Sequence, residues 1–114
     1  MDKKSILIIL ILALIVTSVI LVINYVQRNG NTNEKVIQCI AKNSQLIVKE
    51  GCPACASQKT ILKDYLNKFK IIDCAYDAQK CMDLGITHVP TWIIKGEKYE
   101  GAHTIEKLKE LTGC

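Results

Sequence analysis

The sequence has no run of basic residues. From Glu34 onward, 12 lysines are interspersed with 10 acidic residues, a balance of +2 within a formal net charge of +4 for all 114 residues. No basic face of the kind nucleic acid requires can be built from that pattern, which excludes nucleic-acid binding. Internal repeats and low-complexity tracts are also missing, so the chain is not a repeat array. Histidine is scarce: His88 and His103 stand alone, with no partner at metal-ligand spacing. A second C-x-x-C is absent too, since six residues separate Cys74 from Cys81. A zinc site of the usual paired kind therefore lacks its second half.

Charge is wholly absent from Ser5–Ile23, SILIILILALIVTSVILVI, where Ser5, Thr17 and Ser18 are the only polar residues. A helix of this length measures roughly 28 Å, close to the hydrocarbon thickness of a bilayer. The following NYVQRNGNTNE contains no small-x-small cleavage pattern, which favours a retained anchor over a removed signal peptide. Lys3 and Lys4 precede the span, while Arg28 and Lys35 follow at greater distance. That bias places the N-terminus in the cytoplasm and the remainder outside it, with Tyr25 at an interfacial anchoring position. The expected organisation is a cytoplasmic N-terminus over 1–4, a transmembrane anchor over 5–26, a polar flexible linker over 27–33, and one domain over 34–114.

All six cysteines, Cys39, Cys52, Cys55, Cys74, Cys81 and Cys114, follow the span. An even count outside the cytoplasm suits disulfide chemistry, and a domain of about eighty residues is small enough to benefit from covalent ties. The pattern of apolar residues predicts a short helix over Glu34–Lys42 and a buried strand at Gln45–Val48. A helix opens at the GCPAC segment and keeps its spacing through Ile61, Leu62, Tyr65, Leu66 and Phe69. Next come a strand at Lys70–Cys74, a helix over Ala78–Leu84 closed by Gly85, and a hairpin built from TWII and Lys98–Glu100. A last helix is capped by Thr104. The order α-β-α-β-α-β-β-α defines an α/β domain whose central mixed sheet ends in an antiparallel hairpin.

EGCPACASQK holds the candidate chemistry. Pro53 fits the first helical position, so Cys52 caps the helix and Cys55 lies in its first turn. A free thiol ionises near pH 8.5, and the unsatisfied amides of a helix start favour the thiolate. Cys52 is then the attacking sulfur and Cys55, on the same face, resolves the mixed disulfide. Two other chemistries share this spacing, half of a metal site and an inert disulfide; the preceding strand and the internal proline favour redox use. Lys49 and Glu50 flank the pair as candidate proton or charge partners, or as solvated strand-end residues. His88 is read as a solvent-facing loop residue, and Trp92 and Tyr99 as packing residues.

THVPTW places Pro90 directly before a strand, 35 residues after Cys55. A strand, CPxC and a helix, followed by Val-Pro-Thr before a hairpin, resemble the thioredoxin fold. More narrowly, five elements resemble the thioredoxin-like domain fused to, or partnered with, vitamin K epoxide reductase homologues. They are Cys52–Cys55, Cys74, Cys81–Thr87, Val89–Gly96, and Tyr99 with Gly101, and the resemblance covers about Gln45 to Thr112. It implies a cis Val89–Pro90 bond against the dithiol, with the Val89 backbone offered to an extended substrate chain. It also implies a route: the domain exchanges disulfides with exported proteins and is recharged by a quinone-linked membrane enzyme of the vitamin K epoxide reductase type. No cofactor of its own and no metal are called for. Two departures stand out, Gly51 where the family often has an aromatic residue, and Ala54 where strong oxidants of this fold often have His. Without that His the pair is expected to be a milder oxidant.

Cys74 and Cys81 are read either as a structural disulfide worth ~2–3 kcal/mol or as a relay pair at the carboxyl end of a strand. Cys39 and Cys114 pair with each other, stay free, or link to another chain. The expected function is a membrane-anchored thiol–disulfide oxidoreductase acting on extracytoplasmic protein thiols. The alternatives are a reductant or isomerase, a metal-binding or copper-delivery module on the same cysteines, and a structural membrane protein with inert disulfides.

Overall fold

The computed structural model describes the backbone of residues 1–114 and every side chain except those at 29, 31 and 32. The chain divides into two compact units, Met1–Glu34 and Lys35–Cys114. Helix α1 runs over Lys3–Lys42 and belongs to both. It is long and apolar enough to cross a membrane, and none of its most apolar stretch is buried by protein. Within that stretch the Thr17 hydroxyl donates to the Leu14 carbonyl at 2.9 Å and the Ser18 hydroxyl to that of Ile15 at 2.8 Å. The linker expected over 27–33 is helical instead. The segment contains no proline, and one glycine costs a helix only about 1 kcal/mol. Continuing a helix costs less than breaking it and nucleating another.

The second unit is α/β, with a four-stranded mixed sheet. Strands β1 (Ser44–Val48), β2 (Lys70–Asp73), β3 (Thr91–Ile94) and β4 (Glu97–Glu100) stand in the order β2-β1-β3-β4. β1 pairs parallel with β2, placing Val48 opposite Asp73, and antiparallel with β3, placing Leu46 opposite Trp92. A parallel pair needs a crossover, supplied by α2 (Pro53–Leu62) and a 3₁₀ segment over Lys63–Lys68. β3 and β4 form a hairpin through Lys95 and Gly96, both at positive φ (53° and 82°), as the tight turns that match strand twist require. Helices α3 (Ala78–Asp83) and α4 (Ile105–Thr112) complete the unit. Thr104 caps α4 by accepting from the Lys107 N–H at 3.2 Å.

Side chains alternate across the pleat, and both faces of the sheet are covered. Leu46, Val48, Trp92 and Ile94 point into the larger core with Ile37 and Ile40 of α1, Leu62 of α2, and Leu108 of α4. Ile47 and Ile72 point into the smaller one with Cys81, against which Leu84, Ile86 and Ile93 pack. The apolar spacing through Phe69 predicts one continuous helix, but α2 stops at Leu62 and Lys63 takes a φ of 42°. The change of course lets Phe69 enter the core edge-on to Trp92, ring centres 5.6 Å apart, one residue before β2 begins.

All six cysteines are paired. Cys39–Cys114 joins the last turns of α1 to the residue after the α4 cap, with a sequence separation of 75; Cys74–Cys81 spans only 7. Chain-entropy bookkeeping gives roughly 4.5 kcal/mol for the long loop and about 2.5 kcal/mol for the short one. Replacing Cys39 and Cys114 by alanine is therefore expected to destabilise the chain by about 2 kcal/mol more than the same change at Cys74 and Cys81. Denaturant titration in mild detergent measures the difference; equal losses would contradict the ranking.

Candidate active site

The C-x-x-C pair sits where β1 hands over to α2. After Val48 the chain turns through Lys49, Glu50 and Gly51, closed by the Cys52 N–H donating to the Lys49 carbonyl at 3.2 Å. Gly51 has a φ of 82°, and open space surrounds the position a Cβ would take. The backbone conformation rather than crowding is what suits glycine there.

Cys52 is the N-cap of α2, with extended dihedrals, and Pro53 follows as the first helical residue. The Cys55 N–H donates to Cys52 Sγ at 3.1 Å, so the sulfur takes the role that a serine or aspartate oxygen fills at other helix starts. Cys52 and Cys55 are disulfide-bonded, Cα atoms 5.2 Å apart. Cys55 is 2% exposed and packed in the larger core, whereas Cys52 is half-buried at its rim. The sulfur accessible to an incoming thiolate is therefore that of Cys52.

The other wall comes from the loop before β3. The Val89–Pro90 bond is cis, and Pro90 is fully buried. The Val89 carbonyl oxygen lies 3.7 Å from Cys52 Sγ. Pro90 is held from the hairpin side, its carbonyl accepting from the Gly101 N–H at 2.8 Å. Cys52, Cys55, Val89 and Pro90, spread over 39 residues of sequence, thus come together at one end of the sheet.

Cys74 leaves β2 at that same end and bonds to Cys81, Cα atoms 5.8 Å apart. Both line an open cavity of about 390 Å³ with Lys49, Met82, Ile86 and Val89. His88 is exposed, lies 3.2 Å from the Glu100 carboxylate of β4, and also lines this cavity. Glu50 accepts a hydrogen bond from the Tyr76 hydroxyl. That bond, with lesser contributions from local desolvation and the nearby Asp73 charge, raises the otherwise exposed Tyr76 phenol above its ordinary 10.0. Among the described residues, no three His, Cys, Asp or Glu side chains group as a metal-holding set.

Two residues that sequence reasoning missed position the site. Gln58, on α2, is fully buried. Its side-chain oxygen accepts from Trp92 Nε1 at 2.9 Å and from the His103 N–H at 2.7 Å, while its amide nitrogen donates to the His103 carbonyl at 3.0 Å. Asp73 accepts from the Glu50 N–H at 3.1 Å and the Ala75 N–H at 2.9 Å, joining the two cysteine-bearing loops. A polar residue on a helix and an acid at a strand end carry no sequence signal of such partners. No protein-family model matches the chain.

Gln58→Ala leaves a buried indole N–H and a backbone pair unmatched, and is expected to cost about 2–4 kcal/mol, read by thermal unfolding. A loss under about 1 kcal/mol would show that water replaces the amide. The neutral Tyr76 phenol is the donor, so its contact with Glu50 is complete below about pH 10 and is lost as pH rises through the raised value. Glu50→Ala is expected to lower the Tyr76 midpoint in an ultraviolet tyrosinate titration; an unmoved midpoint would contradict the assignment.

Proposed function

We propose that this chain is a membrane-anchored thiol–disulfide oxidoreductase of thioredoxin fold, similar to the thioredoxin-like partners of vitamin K epoxide reductase homologues. The observation that carries the reading is the setting of the Cys52 sulfur. It is reachable from solvent, it accepts the Cys55 N–H, it is bonded to a buried resolving cysteine, and a strand-leading carbonyl lies 3.7 Å away. Such a setting suits the two halves of disulfide exchange. A substrate thiolate attacks Cys52 Sγ, Cys55 leaves as a thiolate and takes a proton, and a second substrate thiol attacks the mixed disulfide. The substrate departs as a disulfide and the protein as a dithiol, two electrons and two protons richer. The Val89 backbone beside the sulfur gives an extended substrate segment somewhere to pair.

The apolar part of α1 supports a single-pass anchor, with the N-terminus in the cytoplasm and the domain outside. In that arrangement the dithiol works on exported proteins and returns its electrons to a quinone-linked membrane enzyme, which the anchor keeps at high local concentration. A reductant or isomerase role is favoured by one feature of the site. Among the described residues, the polar contacts of Cys52 Sγ are one amide and one carbonyl, neither of them a cation, and Ala54 supplies none.

In a Cys74→Ser/Cys81→Ser background, Cys52→Ser is expected to abolish exchange with a reduced unfolded protein, and Cys55→Ser to accumulate a mixed disulfide visible on non-reducing gels. Exchange that persists with Cys52→Ser in that background would remove this reading. A Cys52–Cys55 potential above about −200 mV supports the oxidant direction, and a value near about −270 mV the reductant.

A further inference from the structure

The Cys74–Cys81 disulfide sits unlike a tie buried for stability alone. It forms part of the lining of an open cavity of about 390 Å³, and Met82, on the same wall, is 64% exposed. Cys81 is 5% exposed while Cys74 is only half-buried, so the two sulfurs differ in access as those of Cys52 and Cys55 do. Val89 borders both: its carbonyl faces Cys52, and it also lines the cavity of the second disulfide. The strands that carry the two pairs run parallel, with Val48 opposite Asp73, so both pairs emerge at the carboxyl end of the sheet. The Cys74 N–H donates to the Val48 carbonyl at 2.8 Å, and Asp73 holds the Glu50 N–H, so the second loop is docked directly on the first.

We propose that Cys74–Cys81 is a second thiol–disulfide exchange site, opened through this cavity by a protein dithiol, so that the domain carries two exchangeable disulfides on one end of its sheet. The inference extends the function proposed for Cys52 and Cys55 but is read at different sulfurs. The incoming thiolate bonds to Cys74 Sγ, and the Cys74–Cys81 bond breaks. Cys81 leaves as a thiolate and takes a proton. A second thiolate of the donor then attacks the mixed disulfide, releasing the donor as a disulfide and Cys74 as a thiol. Two electrons and two protons enter, and the reverse sequence returns them. Ala78 and Met82 are exposed on the cavity wall and gate the approach.

The test equilibrates the full chain, in detergent, with graded ratios of reduced to oxidised glutathione, followed by acid quench, thiol alkylation and mass mapping of each pair. Cys74–Cys81 is expected to open within tenfold of the ratio that opens Cys52–Cys55, and to do so equally in a Cys52→Ser/Cys55→Ser variant. Ala78→Trp is expected to slow its reduction at least tenfold while leaving Cys52–Cys55 unchanged. Met82→Trp repeats the block should Ala78→Trp fail to fold. A Cys74–Cys81 bond that stays closed where Cys52–Cys55 is fully reduced, or a reduction rate indifferent to both tryptophans, overturns the second site. An inert Cys52–Cys55 beside an exchanging Cys74–Cys81 overturns the proposed function and leaves the second site standing.

Discussion

The buried amide of Gln58 is the contact on which the site geometry rests. It lies on the helix that starts with the dithiol, and it binds the indole of the strand that follows Val89 and Pro90, together with the backbone before α4. Three elements that only meet through tertiary structure are thereby held at fixed distances. An apolar residue of the same size would fill the volume, but it leaves a buried indole N–H and two part-buried backbone groups without their partner. Hydrophobic packing alone lets a helix roll by a few degrees; a side chain with three directed bonds does not. A sulfur 3.7 Å from a carbonyl is sensitive to such a roll, so the precision of the thiol's surroundings comes from a residue that never touches it.

Element order and sheet type were legible because most apolar runs combine a clear period with turn or cap residues at their ends. Gln45–Val48 and Thr91–Ile94 are short, β-rich and bounded by turn residues. Lys95 and Gly96 both take positive φ, one of the two backbone conformations that close so short a hairpin. The proline after Cys52 marked the helix start, and the structure places Cys52 as its cap. What was not legible depends on partners distant in sequence. Nothing local distinguishes Gln58 from a surface glutamine, or Asp73 from a solvated strand end. The break at Lys63 was hidden because apolar spacing persists across it: Tyr65, Leu66 and Phe69 still reach the core after the helix has stopped. The polar composition of 27–33 suggested a tether, yet composition registers solubility, and a helix surrounded by water needs nothing apolar to continue. The pairings of Cys39 and Cys74 turn on distances between elements, which spacing does not contain.

The three disulfides make different use of one bond. Cys39–Cys114 closes a long loop and holds α1 to the end of the domain, a constraint on the whole unit. Cys52–Cys55 closes the smallest ring, at a helix start, and constrains the chain least. Cys74–Cys81 lies between these, short enough that opening it releases little chain entropy and placed at the end of the sheet where the other pair emerges.

The two hydroxyls deep in the apolar part of α1 have a consequence for behaviour in a bilayer. Thr17 and Ser18 each donate to a carbonyl of their own helix. Neither offers a hydrogen to a neighbouring span, and the residues around them are bulky aliphatics rather than the glycine and alanine ladders along which transmembrane helices pack closely. To the surrounding lipid such a segment is a smooth rod. In the anchored arrangement proposed above, it would hold the protein at the surface and leave it free to diffuse sideways, with encounters decided by the domain it carries and not by the rod itself.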